Sequence, residues 1–309
     1  MPSTVEIIYM ILIAGELALG IWGNGFIIMV NCISYLKKRD TSLVDIILVS
    51  LASCRICLLC VITLDGFIIV LSPDTHANDE MMYILDVFWT LSNHSNVWCT
   101  SCLSIYYLLK ISNISHPLFL WLKQNINMVI LGILLGSFLV SLLISVSMDC
   151  CLYNDFQYHL KDNNEENRTL ELKVSKIPNS LQSVFLNLGA VVPFILSLMS
   201  FLLLLFSLIR HTKQMKHHAI GSRDPSAEVH MRAIKAVVIF LVHFILYYTL
   251  FLMLTSSFLI PQSKLVVIFG GIITVIFPSS HSFILIMGNR KLRGAFLKVL
   301  RFVKGLTAL

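Results

Sequence analysis

Seven apolar stretches of twenty or more residues, separated by short polar segments, constrain this chain more than any other feature. A helix needs roughly 20 apolar residues to cross the hydrocarbon core of a bilayer. Because 57% of the 309 residues are hydrophobic and 13% are charged, little sequence remains for a soluble domain. We therefore expect an all-α membrane protein, a seven-transmembrane helix bundle, with spans at about 6–34, 44–71, 81–111, 127–148, 181–209, 233–259 and 265–287.

Basic residues lie unequally on the two sides of this bundle. Most of the 23 Lys and Arg residues follow spans one, three and five or lie in the C-terminal tail. The segments on the other side carry Lys161, Arg168, Lys173, Lys176 and Lys264. The positive-inside rule then predicts an extracellular N-terminus and a cytoplasmic C-terminus. Anionic lipid at the inner membrane edge explains the net charge of +6, so no nucleic-acid partner is expected.

The chain becomes amphipathic after the last span. An apolar stripe at helical spacing is flanked by basic residues and consists of Leu292, Ala295, Phe296, Val299 and Val303. This pattern is typical of a helix that lies on the inner leaflet. We expect a seven-helix domain over residues 1–288, followed by an amphipathic cytoplasmic helix and tail over residues 289–309.

A charged side chain inside a span requires a partner, because inserting it costs about 2.5 to 3.5 kcal/mol. Arg55 in span two and Asn24 in span one lie at a similar predicted depth, so the Asn24 carbonyl can accept a hydrogen bond from the guanidinium. His281 and Ser282 lie in span seven, deep enough to reach the same arginine. Two interpretations stay open: a polar lock that changes partners on activation, and a static packing bond.

One face of span three carries an acid, an indole and an amide at helical spacing, Asp86, Trp89 and Asn93. Asp65 in span two and Tyr247 in span six lie at comparable depth. Convergent polar groups and aromatic rings in an apolar bundle indicate a small-molecule pocket. The alternative is that Trp89 and Tyr247 pack between helices and that the two acids face water at the mouth of the bundle.

This architecture is that of a G-protein-coupled receptor, although architecture alone does not establish function. A retinal-binding pump would need a Schiff-base lysine in span seven, and residues 265–287 contain none. A transporter is expected to show internal repeats and broken helices, and an intramembrane enzyme needs a nucleophile motif or a zinc motif. None of these is evident, and no Cys and His residues have metal-ligand spacing. We therefore expect no enzyme activity, no metal and no cofactor.

Six short motifs occur in order along the whole chain. They are Gly23-Asn24-Gly25-Phe26-Ile27, Leu51-Ala52-Ser53-Cys54-Arg55-Ile56, Tyr106-Tyr107-Leu108-Leu109-Lys110-Ile111, Pro193-Phe194-Ile195-Leu196-Ser197-Leu198, His230-Met231-Arg232-Ala233-Ile234-Lys235 and Pro278-Ser279-Ser280-His281-Ser282-Phe283-Ile284-Leu285. Together they resemble the type 2 taste receptors, which detect bitter compounds. Residues 223–226 and 279–289 look closest to the subgroup that contains members seven and nine.

The resemblance implies roles for single residues. Trp89 and Asn93 would contact the bitter ligand, with Tyr247 beneath them as a toggle. Lys110 would belong to the cytoplasmic face that meets a gustducin-type heterotrimeric G protein at the plasma membrane. The glycosylation site of the family matches Asn167 in the long external segment at about 149–180.

The resemblance also implies that Asn24, Arg55 and Ser282 form the lock, although Cys54 stands where the family usually has a serine before the arginine. Two alternatives to a bitter receptor stay open. One is a chemosensory receptor of another class, and the other is a seven-helix scaffold that does not signal. A panel of agonists separates them, because a scaffold answers none of the compounds.

The orientation predicts that Asn167, in the triplet Asn167-Arg168-Thr169, is exposed to the glycosylation machinery. Endoglycosidase treatment of the expressed protein should therefore give one mobility shift, and Asn167→Gln should abolish it. A shift that survives this substitution and disappears with Asn113→Gln would reverse the orientation.

Overall fold

The described part of the chain is almost entirely helical. The structure, a computed structural model, describes residues 3–38, 42–72, 79–112, 114–162, 178–218, 225–255 and 264–306. Its helices are, in chain order, α1 (Thr4–Lys38), α2 (Leu43–Leu71), α3 (Asp79–Ile111), α4 (Pro117–Gln124), α5 (Ile126–Asp162), α6 (Pro178–His218), α7 (Pro225–Thr255), α8 (Lys264–Gly288) and α9 (Arg290–Leu306).

Seven of these helices match the seven predicted spans, which confirms the predicted fold class. Six of them, α1, α2, α5, α6, α7 and α8, are long and apolar enough to cross a membrane. Helix α3 has 33 residues and is less apolar than the others. Nine of its polar residues are buried within the bundle, and they are Thr90, Ser92, Asn93, His94, Ser95, Asn96, Thr100, Ser101 and Ser104. Because neighbouring helices cover this polar face, the bilayer does not meet it.

Helix α3 occupies the centre of the bundle, where it packs against α2, α5 and α6. The remaining spans close around it through contacts of α1 with α2 and α8, and of α7 with α6 and α8. Apolar side chains cover the outer surface, and Leu135, Leu143 and Phe206 are about two-thirds exposed. Such a surface suits hydrocarbon rather than water, as a membrane-spanning bundle requires.

Two segments differ from the sequence prediction. Helix α5 continues to Asp162, so the first part of the predicted loop at about 149–180 is helical. The short helix α4 was also not predicted. It begins at Pro117, a favourable residue for a first helical position, and the Nδ1 atom of His116 accepts a hydrogen bond from the Leu118 amide at 3.3 Å.

Helix α9 follows α8 after one non-helical residue, Asn289. The Leu292 side chain is fully buried against the bundle, and Phe296 is half-buried. Val299 and Val303, further along the predicted stripe, are exposed. The amphipathic helix is therefore present, and its first half is more buried than its second half. We call the side of the bundle that carries α9 the α9 end.

Tyr9 shows how small residues bring three helices together. Its ring lies between Gly66 of α2 and Gly271 of α8, and a Cβ atom added to either glycine would lie 2.5 or 2.7 Å from the Tyr9 hydroxyl oxygen. The same Gly66 Cβ atom would lie 2.8 Å from the Cδ1 atom of Ile13. Both glycines thus permit an approach of α1 that no larger residue allows.

Gly66→Ala should therefore destabilise the bundle by about 1 to 3 kcal/mol, as overpacking of a close contact does. Gly271 blocks the Tyr9 ring on its other side, so the ring cannot move away to make room. The thermal unfolding midpoint of the purified receptor should fall. Gly136→Ala on α5 is the control, because no atom lies within 4 Å of its added Cβ. Equal midpoints for the two variants would contradict the packing described here.

Candidate functional site

Arg55 lies at the centre of a buried polar layer, which it forms together with Asn96 and His281. Its side chain is fully buried, twelve residues after the start of α2 at Leu43, or roughly 18 Å into the bundle. The Nε atom donates a hydrogen bond to Asn96 Oδ1 on α3 at 3.1 Å, and an Nη2 atom contacts His281 Nδ1 on α8. A guanidinium group has no acceptor, so His281 Nδ1 accepts and the imidazole proton lies on Nε2.

Asn24 has a different partner from the one predicted. Its Oδ1 atom accepts a hydrogen bond from the Ser282 hydroxyl at 2.7 Å, and its Nδ2 atom donates to the Gly20 carbonyl at 2.9 Å. The predicted hydrogen bond from Arg55 to Asn24 is therefore wrong. The reason is that α1 approaches α8 closely at Gly23, where an added Cβ atom would lie 3.2 Å from Ser282 Cβ.

The partner that the sequence interpretation missed is Asn96. It lies three residues after Asn93, on a helix whose other buried positions also carry polar groups. An amide at this spacing faces nearly the same direction as Asn93, one turn closer to the α9 end. The signal was present in the sequence, but an amide in a span predicts a hydrogen bond without identifying its partner.

Aromatic rings from α7 and α8 enclose His281. The Phe240 ring centroid lies 4.2 Å from that of His281, and the Phe277 centroid lies 5.4 Å away. His243 on α7 stacks on Phe277 at 4.9 Å and forms a hydrogen bond with the Ser280 hydroxyl at 2.8 Å. The rings pack around His281 and join α7 to α8.

Trp89, Asn93 and Tyr247 come together in the half of the bundle away from α9. The Tyr247 hydroxyl donates to Asn93 Oδ1 at 3.4 Å, and Trp89 stacks on Phe251 with 6.1 Å between ring centroids. Tyr247 and Asn93 are buried, whereas Trp89 is half-buried. Among the described residues, Asn93 Nδ2 has no hydrogen-bond partner. The group therefore combines aromatic surface with a free amide donor.

One ring connects this group to the polar layer. Phe277 stacks on Tyr247 with 4.1 Å between centroids and lies beside His281 on its other side. A continuous set of contacts thus runs from Asn93 through Tyr247, Phe277 and His281 to Arg55.

The remaining predicted site residues are more peripheral. Asp86 is exposed on α3 and Asp65 is half-buried on α2. Lys110 is exposed in the last turn of α3, at the α9 end. Asn167 lies outside the described residues. No three His, Cys, Asp or Glu side chains within the described ranges are arranged to hold a metal ion.

A bundle of seven long helices with a central polar layer, an aromatic site on one side and a surface helix on the other is the architecture of a seven-helix membrane receptor. A family model described as "Taste receptor protein (TAS2R)" matches residues 1–304. The chain belongs to the type 2 taste receptor family. Members of this family are signalling receptors rather than enzymes, and the predicted bitter taste receptor function is confirmed at the level of the family.

Individual relatives are similar along nearly their whole length. The chain is 66% identical over 305 residues to "Taste receptor type 2 member 9" of Macaca mulatta, covering 99% of this chain and 97% of the relative. It is 65% identical to the protein of that name from Homo sapiens, covering 98% of this chain and 96% of the relative. It is 50% identical to "Taste receptor type 2 member 7" of Pan paniscus, covering 97% of this chain and 92% of the relative. The predicted resemblance to members seven and nine is confirmed.

The geometry of the polar layer predicts a specific loss of stability. Asn96→Leu removes the acceptor of the Arg55 Nε hydrogen bond, and losing a buried hydrogen bond to a charged group costs about 1.5 to 3 kcal/mol. The thermal unfolding midpoint of the purified receptor should fall accordingly. Thr249→Ala is the control, because within the described ranges this exposed hydroxyl bonds only the Ile245 carbonyl of its own helix, at 2.9 Å. An Asn96→Leu variant as stable as the control would contradict the Arg55 contact.

Proposed function

We propose that this taste receptor binds bitter small molecules in the half of the bundle away from α9 and activates a gustducin-type heterotrimeric G protein. The observation that carries the proposal is the free Nδ2 donor of Asn93 beside the Trp89 and Tyr247 rings, in a chain of this family. A small-molecule site needs apolar contact area and a few placed polar groups, and these three side chains supply both. Asp65 and Asp86 would lie at the mouth of the site.

The orientation in the membrane is part of the proposal. The excess of Lys and Arg in the segments at the α9 end makes that end cytoplasmic and the N-terminus extracellular, in the plasma membrane. Asn167 would then be glycosylated on the outer side. The basic residues of α9 would contact anionic lipid of the inner leaflet, and exposed Lys110 would belong to the surface that meets the G protein.

Binding would reach the G protein through a change in the populations of two states. An agonist must bind the active state more tightly than the resting state, and the G protein must do the same from the other side. We propose that Arg55, His281, Asn24 and Ser282 exchange partners between the states. The path from Asn93 through Tyr247 and Phe277 to His281 supports this, because a ligand that displaces Tyr247 also displaces the ring that encloses His281. Static packing is the alternative.

The ligand site is tested in cells that express the receptor, the G protein and a calcium reporter. A panel of bitter compounds first identifies an agonist of the wild-type chain. Trp89→Ala removes a stacking surface and Asn93→Ala removes a hydrogen-bond donor, so each should cost about 1 to 3 kcal/mol and raise the half-maximal agonist concentration roughly tenfold to a hundredfold.

Trp121→Ala is the matched control, because this tryptophan is 50% exposed on α4 at the other end of α3. Its half-maximal concentration should stay close to that of the wild type. If a receptor carrying both Trp89→Ala and Asn93→Ala reaches the surface and responds at unchanged agonist concentrations, the ligand binds elsewhere.

A further inference from the structure

Three elements meet at one ammonium group at the α9 end. The Nζ atom of Lys291 lies 3.0 Å from Asp45 Oδ2 in the first turn of α2, and it donates a hydrogen bond to Asn31 Oδ1 on α1 at 2.8 Å. We name these three side chains the Lys291 clamp. They connect the end of one span and the beginning of the next to the surface helix α9.

Burial makes the Lys291 clamp stronger than an ordinary surface ion pair. The side chains of Lys291 and Asp45 are 32% and 15% exposed, and Asn31 is buried. Water and salt screen such a pair less than they screen exposed charges. Asn31 is also held in place, because its Nδ2 atom donates to the Ile27 carbonyl at 3.0 Å and its Oδ1 atom is left to accept from Lys291.

The Lys291 clamp acts where α9 begins. Asn289 caps this helix, since its Oδ1 atom accepts hydrogen bonds from the backbone amides of Lys291 at 2.9 Å and Leu292 at 3.3 Å. The cap fixes the first turn along the helix axis, but it does not fix the rotation of the helix on the bundle. Lys291 and the buried Leu292, at two adjacent positions of this turn, fix the rotation of the helix through their contacts with the bundle.

Apolar contacts hold the next turn of α9. The Phe296 ring packs edge-on against Trp22 and Phe26 of α1, with centroid distances of 6.0 and 6.1 Å. Tyr107 near the end of α3 packs against the same apolar cluster as the buried Leu292. The position of α9 is therefore connected to α1, α2 and α3 at the end that also carries Lys110.

We propose that Lys291 is a positioning residue for G-protein coupling: through Asp45 and Asn31 it holds α9 and the Asn289 junction in the arrangement that the G protein recognises. The inference rests on the proposed function, because it assumes coupling at the α9 end. Lys291 does not itself contact the agonist. Its loss should lower the response to saturating agonist and leave the agonist concentration for half-maximal response nearly unchanged.

Lys291→Met keeps most of the aliphatic length of the side chain and removes the ammonium group. At matched surface expression, with the agonist that the panel identifies, the maximal response should fall by up to about fivefold, because losing roughly 1 kcal/mol from a half-buried ion pair lowers the equilibrium constant for the held arrangement of α9 about fivefold. Lys298→Met is the matched control, since Lys298 is exposed on the same helix and the charge change is identical. Lys291→Arg, which keeps the charge, should restore most of the response.

Amide hydrogen exchange tests the Lys291 clamp without agonist or G protein. In the purified receptor, Lys291→Met should accelerate exchange at residues 290–296 about fivefold relative to Lys298→Met, because α9 opens more often. Unchanged exchange would overturn the positioning role. Accelerated exchange with a wild-type maximal response would show that α9 is held but that coupling does not depend on it, which also overturns the proposal. A wild-type receptor that answers no compound would instead refute the proposed function, whatever the exchange result.

Discussion

A guanidinium group buried in the middle of a membrane bundle must be satisfied by protein, because removing it from water costs several kcal/mol. Arg55 meets this constraint in part: its Nε atom bonds an amide of α3 and its Nη2 atom contacts an imidazole of α8, whereas its Nη1 atom has no hydrogen-bond partner among the described residues. Because the Arg55 guanidinium needs these partners, it fixes how α2, α3 and α8 are rotated toward one another. It also fixes the protonation of His281, since an arginine can only donate. Nine polar residues of α3, between Thr90 and Ser104, are buried in the same bundle interior.

The polar layer and the proposed ligand site are not separate features. Asn93 and Asn96 lie one turn apart on α3, and one faces Tyr247 while the other faces Arg55. On the opposite wall, Phe277 contacts both Tyr247 and His281. Packed rings occupy discrete arrangements rather than sliding continuously. The binding of a ligand at Asn93 can therefore affect Arg55 through these ring contacts. This is the basis on which we propose a lock rather than a static bond.

The sequence predicted those features that depend on local periodicity. Hydropathy located the seven spans, and helical spacing placed Trp89 and Asn93 on one face of α3 and predicted the amphipathic α9. It did not predict the partner of Arg55, since similar depth in two spans says nothing about how the helices are rotated. The sequence predicted a hydrogen bond between Asn24 and Arg55, but the close approach of α1 and α8 at Gly23 makes Ser282 the hydrogen-bond partner of Asn24. The aromatic contacts of Phe240 and Phe277 were missed for a related reason: apolar rings are common in spans, and only three-dimensional packing selects the few that contact His281.

The most direct test of this account is the signalling of Arg55→Ala, measured as a full agonist dose response at matched surface expression. If the arginine takes part in the exchange between states, removing it should change the basal or the maximal response, because Asn96 and His281 lose the partner that joins them in this arrangement. A dose response indistinguishable from that of the wild type would contradict the lock and leave the polar layer as static packing.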